Sequence, residues 1–240
     1  MQASGIQLVI ALYQFVIFLF SLSVHECAHA WVASRLGDQT ARLEGRISLN
    51  PIRHIDPFGT LLFPLLMIVG PFIGFGGGIV MGWGKPVPVV TRNFTKITRD
   101  DNLFSLAGPA ANLLLVVLAF IVMVVMALAV PDGRDAVIGA VQGQIFLGAA
   151  SAPQAIAMLV WLTVEINLAM FFFNFLPIAP LDAARIVRNH LPYNSLNTFD
   201  TIGRFGFIII FILGRILLNF LLPPALRIIE ILLALALGVR

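Results

Sequence analysis

An all-α integral membrane protein, a polytopic helical bundle of about five or six spans, is the fold class this sequence predicts. Three observations carry the prediction. Hydrophobic residues make up 59% of the chain and charged ones only 11%, against about 25% charged in an average soluble domain. The apolar residues gather into runs near the length a bilayer crossing needs, about 20 residues. Between the runs lie only short, mostly basic connectors, so residues 1–240 read as a single membrane domain.

Taken in order, the predicted spans are 6–34, 58–82, 103–130, 154–176, 205–222 and a short one at 225–239. Residues 136–150 are only weakly apolar, and Ser151 and Pro153 break them from the next span. They are expected to form an interfacial or loop helix. Segment 58–82 differs from the other runs. It holds Pro64, Gly70, Pro71, Gly74 and Gly76 to Gly78. Proline and glycine weaken helices. Irregular backbone at membrane depth is tolerated only where protein or water covers it. The segment is therefore expected to enter the membrane and return, with a kinked full span as the alternative.

The loop charges agree with a return. Arg35, Arg42, Arg46 and Arg53 precede the segment, and Lys85, Arg92, Lys96 and Arg99 follow it. With Arg185, Arg188 and Arg204 they place eleven of the fifteen basic residues on one side, against Arg134 opposite. Basic loops face the cytoplasm. The N-terminus is thus expected outside, with the first span running inward. The net charge of +3 is expected to meet anionic membrane lipids rather than nucleic acid. Cys27 is the only cysteine, so no intrachain disulfide can form. "AHA" at 28–30 follows an apolar run as a leader-cleavage site would, but "MQASGIQ" has no Lys or Arg, and the run is expected to be retained.

The first span ends in "HECAH". His25 and His29 are four residues apart, so on a helix both imidazoles share a face and can reach one ion. Glu26 can address a water held there, which is the arrangement of a zinc protease. Ionisable groups in or near the hydrocarbon region cost about 2.5 kcal/mol or more unless partnered, so chance placement is disfavoured. A hydrolytic zinc site takes a third protein ligand. Asp182 is the candidate: Pro177 and Pro180 stop the fourth apolar span, the chain can turn there, and the charge count puts Asp182 on the same side as His25 and His29. A helix N-cap before "AARIVR" is the plainer role for Asp182. Asn167 reads as an interhelical hydrogen bond. Glu165 is a lone carboxylate in its span without an evident partner, and His190 reads as a surface residue.

Together these stretches resemble the site-2 protease family, the intramembrane zinc metalloproteases. HExxH matches at 25–29, and the family's N-x-x-P-x-x-x-[LM]-D-G pattern matches through Asn174, Pro177, Leu181 and Asp182. A Gly-Pro-x-x-Asn stretch matches through Gly108, Pro109 and Asn112, and residues 45–64 resemble the small branch without PDZ or CBS modules. The resemblance spans roughly residues 10–190. One departure stands out: Ala183-Ala184 replaces the glycine that usually follows the aspartate.

The resemblance implies a three-helix zinc-binding core and one Zn²⁺ per chain, held by His25, His29 and Asp182. Zinc lowers the pKa of a bound water towards about 7 and polarises the scissile carbonyl. Glu26 would be the general base, and Asn174 the oxyanion donor. His54 is expected to be a loop contact, or else a gate or a group behind the ligands. The substrate would be a transmembrane segment of another protein in a prokaryotic cell membrane. Residues 83–90 or 43–49 would offer an extended edge to hold it open. A metal transporter is the rival from another class. An inactive relative is the other, with Ala183-Ala184 as its support.

Overall fold

The computed structural model describes residues 2–70, 79–80, 82–144 and 151–238. Four of its helices are long and apolar enough to cross a membrane. Helix α1 (Gln2–Arg35) is followed by a one-turn helix α2 (Thr40–Leu43), a short α3 (Phe63–Val69), and the long α4 (Ile97–Ala129). Then come α5 (Gly133–Val141), α6 (Ala152–Asn174), α7 (Asp182–His190), α8 (Tyr193–Gly203) and α9 (Gly206–Ala236). Helices α1, α4 and α6 pack pairwise into one three-helix unit. The chain is an integral membrane protein.

Local chemistry explains the ends of these helices. Gln154 Oε1 accepts the Ser151 N–H at 3.0 Å, and Pro153 occupies the first turn of α6, where a missing donor costs nothing. Helix α6 stops at Asn174, three residues before Pro177, as the proline positions predict. Asp100 Oδ2 accepts the Lys96 N–H at 2.7 Å at the start of α4.

The predicted break between 205–222 and 225–239 does not occur. One helix, α9, runs through Pro223 and Pro224. The reason lies in the solvent: unpaired backbone is costly in lipid, so an apolar helix keeps its remaining bonds around a proline instead of ending there. Among the described residues one apolar cluster fills the bundle beyond Asn112, away from HECAH, and two smaller ones flank HECAH around Phe18 and Leu22 and around Ala33 and Phe104. Met123, Val137, Ala157 and Val164 are fully buried in the first of these. Helix α5 contributes Ala136, Val137 and Ala140, so this predicted loop helix has a packed inner face. Its continuation, 145–150, lies outside the described residues.

Segment 58–82 behaves as the glycines and prolines suggest where it is described. A π-helical turn, Pro57–Leu62, opens it and continues into α3, and the two together are too short to span. Its two ends then meet. The Trp83 N–H donates to Gly59 O at 3.2 Å, and Thr60 Oγ1 donates to Trp83 O at 2.8 Å. A Cβ on Gly82 would overlap the Gly59 carbonyl, so glycine permits this close approach. A single crossing would separate residues 59 and 83 by a membrane thickness. Residues 71–78 and 81, which form the turn of the expected re-entrant element, lie outside the described residues. On the way back the Val80 N–H meets Gln14 Oε1 at 3.3 Å.

Candidate metal centre

The site is built where α1, α4 and α7 converge. His25 and His29 lie one turn apart on α1, 4% and 3% exposed. Their Nε2 atoms are 3.1 Å apart. Asp182, the first residue of α7, reaches both: Oδ2 lies 3.2 Å from His25 Nε2, and Oδ1 lies 3.3 Å from His29 Nε2. Around a tetrahedral zinc with bonds of about 2.0–2.1 Å, neighbouring ligand atoms stand about 3.3–3.4 Å apart. The three observed edges are close to that.

Hydrogen bonding shows what these atoms lack. His25 Nδ1 meets Asn112 Oδ1 at 2.6 Å, and His29 Nδ1 meets Phe104 O at 2.7 Å. Both partners are acceptors, so in the neutral rings each Nδ1 carries the hydrogen and each Nε2 presents a lone pair. Asp182 Oδ2 is buried without a hydrogen-bond partner. Three electron-pair donors thus face one another in a largely buried pocket, and a bound cation satisfies all of them at once. The described residues hold one such group of potential metal ligands, and it is this one.

Asn112 and Phe104 have no assigned role at the sequence level, yet they orient both imidazoles. The signal that could have found Asn112 is an amide inside an apolar run, four residues after Gly108. That glycine also has a function. A Cβ on Gly108 would overlap Nε2 of both histidines, so α4 can press its backbone against the site only because residue 108 has no side chain.

Helix α7 is fastened separately. Arg185 Nη2 and Nε bond Asp101 Oδ1 at 2.6 and 2.8 Å, and Asn189 Nδ2 bonds Asp101 Oδ2 at 2.7 Å. The Arg185 guanidinium also lies over the Phe104 ring at 4.9 Å. Asp182 is therefore set by an ion pair one turn along its own helix. It caps nothing with its side chain: the N-cap is Leu181, so the plainer sequence role does not apply. Ala183 and Ala184 are helical, and Asp132 is the only non-glycine residue with positive φ among the described residues. The backbone following the aspartate needs no glycine here.

Glu26 is 9% exposed, and its carboxylate lies beside Gly84. A Cβ on Gly84 would lie 3.1 Å from its Oε1, 3.3 Å from His54 O and 3.3 Å from Leu22 Cδ1. No hydrogen bond engages its carboxylate among the described residues. Residues 82–86 form a roof here. The Lys85 N–H donates to His54 O at 2.8 Å, and the buried Arg46 donates through Nη2 to the carbonyls of Lys85 and Pro86. Residues 83–90 form no strand and no helix, and 43–49 run from the last residue of α2 through turns and bends.

His54 belongs to this roof and not to a solvent-facing loop. It is 1% exposed, its Nε2 meets Ser48 O at 2.8 Å, and its Nδ1 is buried without a hydrogen-bond partner. Burial pushes its pKa below the ordinary value, so the ring stays neutral. Asn174 is not joined to the ligands: its Nδ2 donates to Met170 O at 3.0 Å in its own helix. His190 is exposed, as expected. Asn167 bridges helices, as expected, bonding both Asn112 and Ser21.

The model of peptidase family M50, the site-2 protease family, matches residues 13–213. The chain belongs to that family. M50 members are zinc-dependent metalloendopeptidases of the site-2 protease type. The candidate zinc metalloprotease YwhC of Bacillus subtilis is 34% identical over 201 residues, covering 84% of this chain and 79% of its own length. The candidate zinc metalloprotease Rip2 of Mycolicibacterium smegmatis is 30% identical over 210 residues, covering 88% of this chain and 66% of its own. No solved structure gives a significant match.

Proposed function

We propose that this M50 member is a zinc-dependent intramembrane endopeptidase that hydrolyses a peptide bond in or near a transmembrane segment of another membrane protein. The observation that carries this reading is the meeting of two bare Nε2 atoms and a carboxylate at 3.1–3.3 Å, with an unengaged glutamate beside them. His25, His29 and Asp182 hold the ion. Zinc at this place supplies a more acidic water and a polarised carbonyl.

The chain's own groups do the rest. Glu26 accepts a proton at its carboxylate from the attacking water and delivers it to the leaving nitrogen. Asn174 spends one amide hydrogen on Met170 O; the other is free to stabilise the developing oxyanion. His54 works from behind, its carbonyl holding Lys85 and so the strip beside Glu26. The loop charges support a site towards the cytoplasmic side with the N-terminus outside, and the bacterial sources of the relatives support a prokaryotic cell membrane.

The test uses the full chain in proteoliposomes with a panel of single-span reporter proteins. Cleavage that is lost on chelation, restored by zinc, and abolished by Glu26→Gln at unchanged zinc content supports the reading. Zinc flux across the vesicles with no cleavage of any reporter, at native zinc content, overturns it in favour of transport.

A further inference from the structure

The orientation of His25 is decided on a helix that does not touch the ion. Its Nδ1 faces Asn112 Oδ1 at 2.6 Å. An amide has one acceptor end and one donor end. Asn112 could turn either end to the ring unless something fixes it. What fixes it is its other end: Nδ2 donates to Asn167 Oδ1 at 3.0 Å. Asn167 could flip in turn, but its Nδ2 lies 2.8 Å from Thr163 O and 2.9 Å from Ser21 Oγ. A backbone carbonyl only accepts. Asn167 must therefore give Thr163 its Nδ2, show Oδ1 to Asn112, and leave Asn112 Oδ1 for the imidazole. Both asparagines are 0% exposed, so the relay is shielded from bulk water.

We propose that Asn167 is a positioning residue that acts through Asn112 to keep the His25 proton on Nδ1 and the Nε2 lone pair free for the metal. The chain of direction starts at the Thr163 carbonyl on α6 and ends on α1. His29 needs no such relay, because its Nδ1 faces a backbone carbonyl directly. Loss of Asn167 would let Asn112 rotate and present Nδ2 to the ring. The Nε2–H form of His25 then becomes accessible, and that form cannot bind a metal through Nε2. The inference rests on the metal-centre reading, but its first readout does not.

The experiment follows ¹⁵N chemical shifts of labelled histidine in the metal-free full chain carrying Asp182→Ala, which removes the carboxylate that would otherwise accept from His25 Nε2, assigned by loss of the signal in His25→Ala, at a pH where the ring is neutral. With Asn167 and Asn112 intact, this chain is expected to show a protonated Nδ1 and a bare Nε2. A protonated Nε2 there overturns the proposal without recourse to any relay variant. Added to it, Asn167→Ala is expected to populate the other tautomer and, in the chain that keeps Asp182, to weaken zinc binding about 10–100-fold in competition with a chromophoric chelator. Asn167→Asp keeps an acceptor for Asn112 and is expected to keep the wild-type tautomer. Adding Asn112→Asp to Asn167→Ala puts an acceptor before His25 whichever way residue 112 turns, and should restore both shift and affinity. A purely structural role predicts no such restoration. A double variant no better than Asn167→Ala, or an Asn167→Ala chain with wild-type shifts, refutes the relay. Zinc affinity that ignores His25→Ala would instead refute the metal-centre reading and leave the tautomer result standing.

Discussion

The floor and the roof of the site are built on opposite terms. On the floor, α1, α4 and α6 enclose a polar chain from Thr163 through Asn167 and Asn112 to His25, with each amide group engaged. On the roof, Arg46 and His54 are as deeply buried, yet Arg46 Nε and His54 Nδ1 have no hydrogen-bond partner among the described residues. A satisfied buried network fixes one geometry, and an unsatisfied one leaves groups at a cost. The floor therefore sets where the metal ligands point. The roof holds its strip of chain beside Glu26 by carbonyl contacts from Lys85, Pro86 and His54, with the Val90 N–H on Asp38 and apolar packing of Val87 and Val89 farther along.

The comparison can be broken first at Glu26, which lies between the two. Glu26→Gln should lower cleavage by about 10²–10⁴-fold, the range general-base loss produces, with zinc content unchanged by elemental analysis. Gly108→Ala attacks the floor sterically. Its new Cβ overlaps both Nε2 atoms, so stoichiometric zinc should be lost, read by the same analysis; retained zinc would mean that α4 lies farther from the ligands. Asn112→Leu leaves the ligands in place and removes the His25 partner together with the Asn167 contact behind it, so zinc affinity should fall by about 10–100-fold. Arg46→Met tests the roof. It leaves two carbonyls unpaired, at about 1–3 kcal/mol. Faster hydrogen exchange across 82–90 at unchanged zinc affinity is the expected result. The smallest effect should come from Ala183→Gly. Since α7 is helical there, the change should cost about 0.5–1 kcal/mol in thermal unfolding and gain no activity.

The ligand half of the floor was legible in the sequence, and its supporting half was not. Spacing alone puts His25 and His29 on one face, and the loop charges put Asp182 on their side of the membrane. Asn112 stood in a recognised stretch without a role, because its bonds run to two other helices and only their packing reveals them. Gly108 is silent for the same reason, since a close approach has no sequence period. Pro223 and Pro224 misled through a rule learned in water, where a broken helix can hydrate its ends. His54 sat among polar neighbours in "NPIRHIDP" and read as a loop residue; the return of residues 82–86 over it is what buries it. Ala183-Ala184 looked like a loss until α7 was seen to start at Asp182 in ordinary helical conformation.

One measurement bears most directly on the central claim, that His25, His29 and Asp182 share one ion. It is zinc-edge absorption spectroscopy of the purified full chain, with Asp182→Ala in parallel. The expected result is one zinc per chain with two imidazole ligands and oxygen completing the shell, and a marked loss of zinc in the variant. A zinc with no imidazole ligands, or a spectrum and stoichiometry unchanged in Asp182→Ala, would contradict it.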